Sequence, residues 1–348
     1  MAKQKSDTSS FDRLKAAIRA KNPGNLYVFY GEEGHLMQHY LEQLRKLLLD
    51  ELTESFNYHR LNNETFDIRG FADAVENLPM MAEHTLVQVD DIDFFKLPED
   101  SREKIADILS DIPEYCTVVL TYVTVDWKPD KRLKKLWEPF EKYGEIVEFA
   151  KQEPRDLVPW IGRHFANEGK RISNELCYYL IDLTGGTMTA LAGEIHKICA
   201  YSGAEHITKS DIDAVVEPVL DAVVFDMTNL LGEGKYAASL EKLQQLFKLQ
   251  EEPLAILGAV AAQLRRISAA RILLDSGKQT GELMKITGIK EYPAKKAMES
   301  ARRFSPEMCR KAAQLVVETD HKIKTSFDDS ERLLELLILQ LAQEGGRG

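Results

Sequence analysis

Residues 26–34, Leu26-Tyr27-Val28-Phe29-Tyr30-Gly31-Glu32-Glu33-Gly34, constrain the fold of this chain more than any other stretch. An unbroken apolar, aromatic and β-branched run from Leu26 to Tyr30 suits a strand buried on both faces. The run breaks at Gly31, and Leu36, Tyr40, Leu41, Leu44, Leu47 and Leu48 then follow at helical spacing. Strand, glycine loop and helix in that order open a nucleotide-binding α/β domain. A phosphate-cradling loop would continue as G-x-x-x-x-G-K-[ST], because its backbone, lysine and hydroxyl hold the phosphates and Mg²⁺. Counted from Gly31, the last three places of that pattern hold Leu36, Met37 and Gln38. The loop Gly31, Glu32, Glu33, Gly34 supplies two carboxylates instead, which would repel a triphosphate. The scaffold is present and its chemistry is missing.

At 348 residues the chain exceeds what one core usually serves, so two or three domains are expected. No apolar run approaches the roughly 20 residues that span a bilayer. Met1 to Ser10 lacks an apolar core segment and reads as a loose tail rather than a signal peptide. Cys116, Cys177, Cys199 and Cys309 are scattered without a C-x-x-C pair, which argues for reduced thiols in the cytoplasm and against structural zinc. The net charge of −11 excludes a protein that coats nucleic acid by bulk electrostatics. The charge is uneven, however: Ala261 to Lys324 holds 14 Lys/Arg against 7 Asp/Glu, which leaves local contact with nucleic acid open there.

Along the chain, a helix is predicted from Phe11 to Ala20, stopped by Asn22-Pro23-Gly24. Strands are predicted at 26–30, 58–62, 85–89, 118–123 and 145–149, alternating with helical patterns at about 35–51 and 68–77 and between the later strands. That alternation indicates a mostly parallel sheet covered on both faces. After Pro154 the strands stop. Helices are predicted at 156–168, 174–183, 188–201 and 210–216, then at 237–249, 253–274 and 330–343. The chain therefore reads as an α/β domain (1–150), a small helical domain (151–217) and a larger all-α domain (218–348).

Several residue groups could carry chemistry. Asp90-Asp91 ends an apolar strand, where a phosphate-loop ATPase keeps its magnesium carboxylate. With no lysine loop opposite, a solvated strand end is the plainer reading. His35 and His39 share a helix face at the spacing of a zinc site, yet no H-E-x-x-H accompanies them, and no metal is expected. No nucleophile elbow is present. Lys128, Lys131, Arg132, Lys134 and Lys135 precede Leu136-Trp137 and read as the solvated face of a helix.

Glu282 to Ile289 and Ala294 to Ala301 have the form of a helix-turn-helix with Gly288 at the turn. Lys290, Lys295, Lys296 and Arg302, with Lys322 and Lys324 further on, are the candidates for contact with DNA phosphates. Leu78-Pro79-Met80-Met81-Ala82 places two large flexible apolar side chains at a turn beside a strand. They suit a groove on a partner, or alternatively cap the domain's own core.

Taken in order, these segments resemble the delta subunits of bacterial replicative DNA polymerase clamp loaders over nearly the whole chain. The resemblance rests on Tyr27-Val28-Phe29-Tyr30-Gly31-Glu32-Glu33 and on Leu78-Pro79-Met80-Met81-Ala82 before the strand Thr85-Leu86-Val87. It continues through Gly185-Gly186-Thr187-Met188-Thr189 to Lys197, Ala301-Arg302-Arg303-Phe304-Ser305, and Asp320-His321-Lys322-Ile323-Lys324-Thr325. It implies an AAA+-like α/β domain with a parallel sheet flanked by helices, a helical lid and an all-α collar. Met80 and Met81 stand where most relatives have aromatics, and Thr189 stands where ATP-using AAA+ relatives keep a phosphate-sensing arginine.

The function implied is binding and opening the sliding clamp for loading onto primed DNA, with Leu78, Met80 and Met81 entering the clamp. The chain would have no catalysis and no cofactor of its own, as a component of the DNA-directed DNA polymerase III holoenzyme. Its implied partners are the clamp, the loader ATPase and delta-prime subunits through the collar, and primer-template DNA through the assembled complex; no membrane is involved. An ATP-hydrolysing AAA+ enzyme and a helix-turn-helix DNA-binding regulator are the alternatives.

Overall fold

A computed structural model of the chain describes residues 8–289 and 291–345. They divide into two compact units: residues up to Gln152 together with Thr187–Thr189, and Glu153–Gly186 together with Ala190 onward. Helix α1 (Thr8–Ala20) begins three residues before the predicted Phe11, so the end of the expected loose tail is helical. Residues 1–7 of that tail lie outside the described residues.

The first unit is built on five parallel strands, β1 (Leu26–Tyr30), β2 (Tyr58–Leu61), β3 (Thr85–Asp90), β4 (Cys116–Tyr122) and β5 (Gly144–Glu148), in the order β2-β3-β4-β1-β5. β1 is an interior strand between β4 and β5, with Leu26 opposite Val118 on one side and Gly144 on the other. Alternation along the strands feeds two cores. Leu26, Val28, Val87, Val89, Val118 and Leu120 face one way, against α4 (Ile68–Glu76), α5 (Glu99–Ser110) and α6 (Lys134–Lys142). Tyr27, Phe29, Leu86, Val119 and Val147 face the other, against α1 and α2 (Gly34–Leu48). A parallel sheet buried on both faces needs largely apolar strands, and β1 is an unbroken apolar and aromatic run.

A single helical turn, α3 (Glu54–Asn57), precedes β2. It lies where the sequence predicts only the approach to a strand.

The second unit is helical. It opens with α7 (Pro154–Asn167), α8 (Asn174–Thr184), the part of α9 (Met188–Tyr201) beyond Thr189, and α10 (Lys209–Val215). α11 (Leu220–Gly232), α12 (Tyr236–Lys248), α13 (Pro253–Asp275), α14 (Thr280–Thr287), α15 (Glu291–Ala301), α16 (Pro306–Thr325) and α17 (Ser330–Gly345) follow. α13 is the axis of the larger core, burying Ile256, Val260, Leu264, Ile267 and Ala270 among Leu231, Ala297, Ala312 and Leu337. Helices from both sides of residue 217 pack in this unit: Tyr292 on α15 stacks on Tyr178 of α8 and donates its hydroxyl to Asp182 at 2.9 Å.

Candidate functional site

The sheet order creates a crevice. β1 leads into α2 on one face while its neighbour β4 leads towards α6 on the other, so the loops part outside the carboxyl ends of these two strands. Ligands of open α/β sheets bind at such a place. Two recesses lie there: one of about 400 Å³ lined by Tyr30, Gly31, Glu32, Tyr122 and Trp127, the other of about 240 Å³ lined by Gly34, Met37, Gln38, Arg60, Asp90 and Asp91.

The loop between β1 and α2 is closed by its own residues. Gly31 has φ 125°, and a Cβ there would come within 2.5 Å of the Phe149 carbonyl oxygen, so only glycine fits. Glu33 donates its N–H to that same carbonyl at 2.9 Å. Its carboxylate turns inward, fully buried, and accepts from Met188 N at 2.9 Å and Gln152 N at 3.3 Å. Burial raises its pKa, and those hydrogen bonds offset the rise only in part. The sequence reading of Glu32 and Glu33 as two carboxylates alike in repelling a triphosphate therefore needs correction. Glu32 is exposed, whereas Glu33 is a structural anchor. Thr189 does lie beside this loop, its hydroxyl 4.0 Å from where a Cβ on Gly34 would sit.

The strand-end pair also differs from a solvated strand end. Asp90 accepts from Arg60 Nε at 2.6 Å, Gln88 Nε2 at 2.5 Å and Thr121 Oγ1 at 2.5 Å. Asp91, at φ 55°, accepts from the N–H groups of Val123, Thr124 and Val125 and from the Thr124 hydroxyl. Desolvation pushes the Asp91 pKa up, but those four bonds outweigh it and hold the carboxyl below its ordinary value. The Asp90 side chain ties β2, β3 and β4 together, and that of Asp91 shapes the loop after β4. His39 pairs with Gln43 at 2.7 Å, and among the described residues no group of three or more His, Cys, Asp or Glu is placed to hold a metal ion.

The segment after α4 has the opposite character. Leu78 is 77% exposed, Met80 55% and Met81 91%. These side chains do not cap the domain's own core. Met81 has φ 56°, a left-handed conformation that costs a residue with a Cβ roughly 1–2 kcal/mol. The main chain at Met80 is gripped by Asn57, the last residue of α3, whose side chain is fully buried. Asn57 Oδ1 accepts the Met80 N–H at 2.7 Å, while Nδ2 donates to the Met80 carbonyl at 3.0 Å and to the Thr53 carbonyl at 2.9 Å. No motif or spacing singles this residue out. An asparagine ahead of a short strand is ordinary turn chemistry, and its partner lies 23 positions away.

In the second unit, α14 and α15 form the expected helical pair with Gly288 at φ 72° between them. The basic candidates divide. Lys296 turns towards Asp182, with its ammonium 4.5 Å from the Phe225 ring centre. Lys295 pairs with Glu291 at 2.7 Å and Lys324 with Asp320 at 2.8 Å. Arg302 and Lys322 are exposed, and Lys290 lies outside the described residues. In the first unit only Lys134 and Lys135 of the basic cluster lie on α6; Lys128, Lys131 and Arg132 precede it. The cluster is therefore a loop and a helix start rather than one helix face, with Lys131 over Trp137, Arg132 paired with Asp130 and Lys135 with Asp107.

Fold and site together define an α/β scaffold of the nucleotide-binding class whose loop is sealed by its own carboxylate, with an apolar tip exposed on the same unit. The chain belongs to the DNA polymerase III delta subunit family. The family described as "DNA polymerase III, delta subunit" matches residues 27–149, and "DNA polymerase III delta subunit, C-terminal domain" matches residues 221–341. The DNA polymerase III subunit delta of Bacillus subtilis (strain 168) is 29% identical over 322 residues, covering 91% of this chain and 92% of the relative. The probable DNA polymerase III subunit delta of Aquifex aeolicus (strain VF5) is 23% identical, covering 97% of each chain. The solved Bacillus subtilis DNA clamp loader delta protein shares the fold, with a TM-score of 0.58 at 24% identity, over 96% of this chain and 99% of that one.

Proposed function

We propose that this chain binds the ring-shaped sliding clamp through Leu78, Met80 and Met81 and opens it for loading onto primed DNA, without hydrolysing ATP itself. The observation that carries this reading is the exposed, backbone-clamped Met80-Met81 tip on a unit whose phosphate loop is filled by Glu33. Large apolar side chains left this open on a well-packed domain are an unmet interface. Burying both methionines in an apolar pocket is worth on the order of 3–6 kcal/mol before ordering costs. A ring shifts from closed to open only by the difference between the tip's affinities for the two states, and an interaction of this size is enough to bias it.

In this reading residues 1–150 engage the clamp, 151–217 act as a lid and 218–348 as a collar joining the loader ATPase and delta-prime subunits. Primer-template DNA is met through the assembled complex, in the cytoplasm. Exposed Leu254, Ile272, Ile286 and Val317 are available to a collar interface. The test is binding of purified chain to purified sliding clamp, wild type against Met80→Ala with Met81→Ala. Loss of binding in a folded double variant supports the reading, and unchanged binding and clamp release overturn it.

A further inference from the structure

Resting on the reading of Met80 and Met81 as the clamp-binding tip, we infer that Asn57 is the positioning residue that holds this tip in its binding shape. The tip spans 78–84, between the end of α4 and the start of β3, and lies outside any helix or strand. On one side Asn77 N bonds to Asp73 O; on the other, Thr85 N bonds to Tyr115 O. Between them, among the described residues, the main chain is held through Asn57.

The bond pattern is specific to an amide. Met80 presents one donor and one acceptor, and Asn57 answers with Oδ1 at 2.7 Å and Nδ2 at 3.0 Å, as a neighbouring strand would. The second N–H of Nδ2 goes to Thr53 O at 2.9 Å, which fixes the orientation of the amide. A carboxylate could accept but not donate there, and an aliphatic residue could do neither. The clamp acts directly before Met81, whose left-handed φ of 56° needs an outside constraint to persist. Asn57 touches no partner in this account. It acts by keeping two side chains preorganised, so that docking does not have to order the loop.

The experiment uses the full chain and purified sliding clamp, with Asn57→Ala, Asn57→Asp and the Met80→Ala, Met81→Ala double variant. Asn57→Ala is expected to weaken clamp binding about tenfold, with faster hydrogen exchange at the Met80 amide and unchanged exchange in β1 and β4. Asn57→Asp is expected to bind weakly near pH 8 and to recover as the pH is lowered, because burial at this position raises the carboxyl's pKa and its protonated form again donates to Met80 O, while the wild type changes little. This second variant decides the matter if Asn57→Ala does not fold. Wild-type binding by both Asn57 variants, alongside lost binding by the methionine variant, overturns the inference and leaves the clamp reading standing. Uniformly faster exchange across the sheet also overturns it, because Asn57 would then be a general stabiliser. Wild-type binding by the methionine variant overturns the reading and the inference together.

Discussion

Glu33 Oε2 accepts the Met188 N–H at 2.9 Å, so a carboxylate from the phosphate loop satisfies the first N–H of α9. Helix starts attract anions because their first N–H groups lack internal partners. Here the anion is supplied by the chain. Gln152 N, Phe149 O and the glycine-only fit at Gly31 complete the closure. A nucleotide phosphate would have to displace a buried side chain, and Met37 stands where a phosphate loop keeps its lysine. ATP titrated to on the order of 1 mM is expected to show no saturable binding by calorimetry, which corresponds to less than about 4 kcal/mol of affinity. Saturation in the micromolar range would revive the ATPase alternative.

Glu33 also predicts a pH signature. Its pKa is raised in the folded state, mainly by burial. A carboxyl raised in this way contributes stability that is present below its unfolded value and lost as pH rises through the folded value. Glutamine at this position has no such titration. The stability advantage of the wild type over Glu33→Gln should therefore be greatest near pH about 4 and shrink towards about pH 7. Denaturant titrations of both proteins across that range check it, and a constant difference would count against the buried anchor.

Asp91 gives the opposite sign. Its carboxyl is held below the ordinary value, with desolvation opposing and the bonds from Val123, Thr124 and Val125 prevailing. Its contribution is present above the unfolded value and lost as pH falls through the folded one. Asp91→Ala should cost roughly 1–2 kcal/mol by denaturant unfolding at neutral pH, through lost acceptors and a φ of 55° that alanine tolerates poorly. Asp91→Asn should cost much less, since asparagine keeps an acceptor and accommodates the left-handed region. If a bound metal rather than loop geometry were the role of Asp91, added Mg²⁺ would raise the unfolding midpoint of the wild type alone.

The basic residues of the second unit separate by geometry. Lys296 is engaged with Asp182 and the Phe225 ring, whereas Arg302 and Lys322 face solvent. In the assembled loader on primed DNA, Arg302→Ala or Lys322→Ala should each reduce the slope of log K against log salt by about one if the side chain meets a phosphate. Lys296→Ala should leave that slope unchanged and instead lower the stability of the chain by about 1 kcal/mol. The reverse pattern would place the DNA path on the other face of α15.

What was legible in the sequence followed from periodicity. β1 is legible to the residue because four buried positions and half-buried Tyr30 end at an obligatory glycine. The α13 segment read as one long helix because Pro253 marks its first turn and its apolar positions recur at helical spacing. The tip was visible because two methionines after a proline have no periodic reason to be there. Glu33 was misread because sequence gives a side chain's charge and not its direction. The partners that hold it are backbone groups 119 and 155 positions away. Asn57 was missed for the same reason, as its role exists only once α3 and the segment after α4 meet in space. Lys296 looked like its neighbour Lys295 until the fold set Asp182 beside it.

The most direct test of the account is the affinity of the purified chain for the sliding clamp with Met80 and Met81 both replaced by alanine. The account predicts a folded protein with an unchanged unfolding midpoint, at least a hundredfold weaker clamp binding, which is about 2.7 kcal/mol, and no release of clamp from circular DNA. A double variant that binds and unloads the clamp as the wild type does would contradict it.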